Sequence, residues 1–202
     1  LRTLFPYTTL FRSYDGAGVK LVRVISLPDV VEFDPFLMLD AFDSCDQDDY
    51  TKGFPWHPHR GIETVTYLIS GEIEHIDSLG NKGNILDGCC QWMTAGGGIL
   101  HQEMPQPCER MLGVQLWLNL PRNDKMTAPR YRDIREDMVP KIEEDDCRIG
   151  VISGTYKGNL GAVQGEYVKM LFLDVDMKAG AQWQLETVKD ATLFVYIVEG
   201  EG

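Results

Sequence analysis

The chain has 202 residues, 44% of them apolar, and carries a formal net charge of -12 at pH 7. That length and apolar content allow a substantial core, in one large domain or two modest ones. The acidic balance speaks against direct contact with a nucleic-acid backbone, which needs clustered Lys and Arg, and no apolar run approaches the roughly 20 residues of a membrane span.

In chain order, the first stretch is TLFPYTTLFRS (residues 3–13), which reads as one translated frame of a common sequencing-adaptor oligonucleotide. Residues 1–13 are therefore set aside from fold reasoning, the alternative being a genuine apolar strand. Removing Arg2 and Arg12 takes the formal charge from -12 to -14.

From Val19 the pattern is of short β segments broken by Gly, Pro, Asn and Asp: VKLVRVISL, ETVTYLI, EIEHIDS, QWMTA, GVQLWLNL, CRIGVIS, VKMLFLDVDM and ATLFVYIV. Such spacing, without long amphipathic helical stretches, predicts an all-β sandwich or barrel with little helix. Hairpin turns are expected at Ser70-Gly71-Glu72 and around Leu79-Gly80-Asn81, where Gly and Asn accept a positive φ. The charged, proline-marked stretch 121–144 reads as a crossover between two units.

YLISGEI (residues 67–73) is echoed by YIVEGEG (residues 196–202), which suggests two related β units, the second stopping at its turn. The expected organisation is an N-terminal unit over 14–120, the crossover 121–144, and a partial C-terminal unit over 145–202, truncated, with an unpaired edge. Five cysteines (Cys45, Cys89, Cys90, Cys108 and Cys147) form an odd set without CxxC spacing, and no secretory-type leader precedes them. Reduced thiols and a cytoplasmic location are expected. Cys89 and Cys90, as strand neighbours, should point to opposite faces.

The four histidines all lie between positions 57 and 101. In FPWHPHRG, His57 and His59 stand at i and i+2, so an extended chain aims both rings at one face while Pro58 turns away. In TAGGGILHQEMPQ, His101 and Glu103 repeat that spacing after a glycine-rich turn. Two such pairs brought together across a barrel would give three neutral imidazoles and a carboxylate, a donor set for a divalent transition metal that keeps positions open for substrate and water. A single HxH arises easily by chance, and a second pair of matching geometry is what raises it above chance. His75, in EIEHIDS, lacks an i+2 partner and reads as a packed histidine. Glu63, four residues beyond His59, is the reserve ligand should Glu103 be free.

HPHRGIETVTYL, SGEIEHIDSLGNKG, QWMTAGGGILHQEMP and GVQLWLNLPRNDKMTAPRY together resemble the pirin family of the cupin superfamily, from about residue 19 to 202. The resemblance implies a bicupin, two stacked β-barrels of which the first holds one mononuclear iron and the second no metal. It maps the metal ligands onto His57, His59, His101 and Glu103, and leaves out Glu63. The chain departs from the usual family pattern at Trp56, at Cys89-Cys90 and at Gly97, close to the site segments, which bears on the substrate more than on the metal.

The expected activity is that of an iron dioxygenase of the quercetin 2,3-dioxygenase type, with Fe(II) as metal and Ni, Cu, Zn or Mn as substitutes. Its reactants would be dioxygen and a small flavonol-like aromatic, with Glu103 as proton acceptor. Phe54, Trp92 and Met93 are candidates for an apolar wall, or else ordinary core. The chain is expected to be a monomer. The alternative function is a metal-dependent, redox-responsive module that binds a protein partner without turnover, in the manner of pirin-type transcriptional cofactors.

Overall fold

A computed structural model describes residues 11–202, apart from the side chains of Phe11 and Leu27. Most of the stretch set aside as adaptor-derived, residues 1–10, lies outside the described residues; residues 11–13 open the first strand. The chain is almost all-β. Its strands are β1 (Phe11–Asp15), β2 (Val19–Ile25), β3 (Phe36–Ser44), β4 (Phe54–His59), β5 (Ile62–Ser70), β6 (Ile73–Asp77), β7 (Lys82–Ile85) and β8 (Cys90–Thr94). Then come β9 (Ile99–Pro105), β10 (Met111–Asn119), β11 (Arg130–Ile134), β12 (Lys141–Glu144), β13 (Cys147–Ser153), β14 (Thr155–Tyr156), β15 (Asn159–Leu160) and β16 (Phe172–Met177). Val30–Phe33 forms a single helical turn, and no helix among the described residues is long and apolar enough to cross a membrane.

A seven-stranded sheet runs β1-β2-β3-β10-β5-β8-β11 and faces a four-stranded sheet, β4-β9-β6-β7. Within the stretch 121–144, read from the sequence as a crossover, residues Arg130–Ile134 form β11 and pair with β8. The last residues of that stretch form β12, and β12-β13-β16 with the ribbon β14-β15 make a second, smaller unit. Residues 191–198, which alternate like a strand, join no ladder among the described residues.

Side-chain alternation sorts the large sheet into two faces. Its outer face carries Val65, Tyr67, Cys90, Trp92, Val114, Leu116 and Leu118, which pack with Ile152, Val168 and Met170 of the second unit in one core. The Tyr67 hydroxyl also donates to Asp174 at 2.7 Å, tying β5 to β16. Cys90 is buried in that core and Cys89 only half-buried, and all five cysteines are free.

The inner face is layered by register. An apolar floor of Leu21, Phe42 and Leu68 closes on Ile73 and Ile85 of the small sheet. One pleat further, a polar row crosses six strands, with Arg23 opposite Asp40, Asp40 opposite Gln115, Gln115 opposite Thr66, Thr66 opposite Gln91 and Gln91 opposite Asp133. Polar groups in a barrel interior cost free energy unless they are bonded. Here Arg23 grips Asp40 through both oxygens at 2.9 and 2.7 Å, and Gln91 donates to Asp133 at 3.2 Å. The next inner row, Met38, Trp117, Thr64, Met93 and Tyr131, is bulky.

Leu116 is 3% exposed, in the core shared by the two units. Leu116→Ala should lower stability by about 2–5 kcal/mol, the usual cost of a large-to-small change in a packed core. Urea denaturation should show a lower midpoint with an unchanged slope.

Candidate metal centre

The small sheet supplies the histidines. β4 and β9 run antiparallel with His57 opposite His101 and His59 opposite Ile99. Both i, i+2 pairs therefore fall on the inner side of one ladder. In the turn before β9, Gly96 has φ +51, and a Cβ there would meet the Thr127 carbonyl oxygen at 2.1 Å, so glycine lets this turn pack against the segment that leads into β11.

His57, His59 and His101 bring one ring nitrogen each to within 4.8 Å of the others. Their ring centroids are separated by 4.8, 4.4 and 4.9 Å. His57 Nδ1 lies 2.8 Å from the Pro55 carbonyl oxygen. A carbonyl only accepts, so that nitrogen carries a proton, and in the neutral ring Nε2 is the nitrogen left with a lone pair. That Nε2 stands 3.0 Å from Nε2 of His59. Nε2 of His101 is buried without any hydrogen-bond partner.

Burial, reinforced by the neighbouring imidazoles, pushes His59 and His101 down to about 3, so both are neutral in ordinary buffers. Clustered neutral imidazoles with an orphaned nitrogen suit a transition metal such as Fe, Ni, Cu or Zn rather than Mg or Ca. The residues present thus fit the group that their sequence pattern suggested.

Glu103 stands beside this trio and outside its 4.8 Å circle, with Oε2 3.9 Å from His101 Nε2. Its carboxylate is held from the opposite sheet. Gln115 Nε2 donates to both oxygens at 3.0 Å, and Thr66 Oγ1 to one of them at 3.3 Å. Trp117 Nε1 in turn donates to Gln115 Oε1 at 3.3 Å, while its ring packs edge-on to His59 at 5.0 Å. Gln115 and Trp117 escaped the sequence reading, although they share a face in GVQLWLNL.

Glu63, the reserve ligand, falls on the other face of β5 from Thr66. It is fully buried, accepts from Thr94 Oγ1 at 2.6 Å, and pairs with Arg132 at 3.3 Å. Trp92 also lies on that outer face, in the core shared with the second unit. Of the residues suggested for an apolar wall, Met93 is in the inner row and packs with Ala95 and Ile99. Phe54 lies 6.5 Å from the His57 ring. His75 is buried inside the barrel and outside the cluster.

An all-β chain with a two-sheet barrel and inward-facing histidines defines a cupin-type protein. The family model "Pirin" matches residues 18–118. A pirin-like protein of Caulobacter vibrioides is 44% identical over 190 residues, covering 93% of this chain and 69% of that protein. The chain belongs to the pirin family.

Among solved structures, a quercetin 2,3-dioxygenase from Acinetobacter baumannii superposes with a TM-score of 0.67 at 37% identity, over 76% of this chain and 57% of its own. The bacterial pirin YhhW from Escherichia coli, in complex with nickel(II), gives 0.52 at 25% identity, over 69% and 67%. The chain thus spans about two thirds or less of the length of these relatives.

His57→Ala combined with His101→Ala should abolish stoichiometric metal binding, which elemental analysis of the folded double variant would report; undiminished metal would place the ion elsewhere. The depressed values of His59 and His101 carry a pH signature in the metal-free protein. Each takes up a proton near 6.5 when unfolded and only near 3 when folded, so the unfolded state binds more protons between those limits. Thermal midpoints of the metal-free protein should therefore be level above about pH 6.5 and fall as the pH drops towards 3.

Proposed function

We propose that the N-terminal barrel, the first of two, holds one iron through His57, His59, His101 and Glu103, and oxidises flavonol-like aromatic substrates with dioxygen. The observation that carries this reading is the convergence of three imidazole nitrogens, one of them buried without a partner. It is supported by the likeness to the Acinetobacter baumannii dioxygenase. The YhhW complex makes nickel(II) an alternative occupant. A bound redox metal would bind a deprotonated substrate hydroxyl and make dioxygen reactive towards it.

The chain's own residues have definable parts in this reaction. Glu103 Oε2 lies 3.9 Å from His101 Nε2, and Gln115 and Thr66 aim the carboxylate, so it accepts the substrate's hydroxyl proton. Trp117 offers a half-buried aromatic face next to His59, suited to a planar ring. His57, half-exposed where His59 and His101 are buried, marks the open side of the site.

Glu103→Gln keeps the side chain's shape and an oxygen ligand but loses the charge. Turnover per bound iron should fall by roughly 10²- to 10⁴-fold, the range for loss of a general base, while iron content falls much less. The assay is anaerobic loading with Fe(II), then oxygen uptake with quercetin, normalised to iron. Metal lost with activity per iron retained would make Glu103 a ligand only. Wild-type protein that holds iron yet consumes no oxygen above a free-iron control would overturn the dioxygenase reading in favour of a non-catalytic, metal-dependent protein-binding module.

A further inference from the structure

Behind the histidine cluster lies a contact that comes from neither ligand strand. Tyr131, on β11 of the large sheet, places its hydroxyl 3.1 Å from Nδ1 of His101. Nε2 of the same ring is buried with no partner. Burial raises the Tyr131 phenol above its ordinary value, so it is a neutral hydroxyl at working pH.

The Tyr131 ring is itself held. It stacks on His75 with centroids 5.4 Å apart and planes 11° from parallel. His75 fits there because Gly83 faces it across the β6-β7 ladder, where a Cβ would stand 2.8 Å from His75 Nε2. Neither ring nitrogen of His75 makes a hydrogen bond, although Nε2 lies 3.8 Å from Asp133 Oδ1, and it is the ring's flat face that meets Tyr131.

A neutral imidazole carries one ring proton; a carbonyl beside one nitrogen fixes it there because it only accepts, whereas a hydroxyl can accept the ring proton or donate its own. For His57 the Pro55 carbonyl makes that choice. We propose that Tyr131 is the corresponding positioning residue for His101. Its hydroxyl accepts the Nδ1–H, which leaves Nε2 bare and turned towards His57 and His59, and the stack on His75 keeps the hydroxyl in place. Outer partners of this kind orient a ligand and are commonly worth about 10- to 100-fold in metal affinity. The inference rests on the metal-centre reading for its purpose, but the proton's position can be read without any metal.

The test uses the metal-free chain labelled with ¹⁵N-histidine. Long-range ¹H–¹⁵N correlation should show His101 with its proton on Nδ1 in the wild type. In Tyr131→Phe, which keeps the ring and its stack, the Nε2–H form should grow, and nickel(II) affinity by chelator competition should fall about 10- to 100-fold. A wild-type His101 protonated on Nε2 would overturn the proposal, and so would a folded Tyr131→Phe with unchanged tautomer and nickel affinity within threefold. Should Tyr131→Phe not fold, the wild-type tautomer alone decides. Wild-type protein that binds no nickel, iron or zinc would instead overturn the metal-centre reading, and the NMR result would still rule on Tyr131.

Discussion

The antiparallel register that sets His57 opposite His101 is the constraint on which the site depends. With a side-chain period of two, that single pairing puts His57, His59, His101 and Glu103 on one face of two adjacent strands. A slip of one residue in either strand would turn that strand's own pair outwards and bring Trp56 and Pro58, or Leu100, now exposed, into the barrel. Such a slip is opposed by the apolar floor below, because Ile73 and Ile85 of the same sheet must meet Leu21, Phe42 and Leu68. The packing that holds the sheets together therefore also fixes where the histidines point.

The large sheet answers with a row of polar side chains rather than with more hydrocarbon. Gln115 serves three neighbours at once: it donates to Glu103 and Thr66 and accepts from Trp117. An amide in that place can steer a carboxylate without neutralising it, whereas a Lys or Arg would form an ion pair and weaken the carboxylate as a base. The row's own cation, Arg23, is taken up by Asp40 and Asp15, and Arg132 pairs with Glu63 on the other face of the sheet. Glu103 is left as a buried carboxylate held by neutral donors.

What the sequence made legible was whatever lies within one strand. HxH and HxE are statements about period two, and they survive folding because β4 and β9 are extended through those residues. The β segments and the scarcity of helix were readable from alternation for the same reason. Glu63 was not, because parity is lost at Gly61, whose φ of +70 turns the chain from the small sheet into the large one. Counting four residues from His59 across that corner says nothing about which face Glu63 takes. The Tyr131 contact was hidden for another reason. It lies in a charged stretch with little alternation and depends on β11 pairing with β8, a partnership no local pattern announces.

The two barrel walls thus divide the work. The strands β4 and β9, far apart in sequence but paired in the small sheet, carry the clustered histidines and Glu103. The residues that aim these side chains, Gln115 and Tyr131, come from strands of the opposite sheet. The register of β4 and β9 brings the histidines together, whereas the hydrogen bonds that hold Glu103 and His101 come from the opposite sheet. The outer face of that sheet packs directly against the second unit through Tyr67, Trp92, Ile152 and Met170. Thr66, which bonds Glu103, and Tyr67, which bonds Asp174, are adjacent on β5 and point to opposite faces. One strand therefore carries, back to back, a contact to the buried carboxylate and a contact to the second unit.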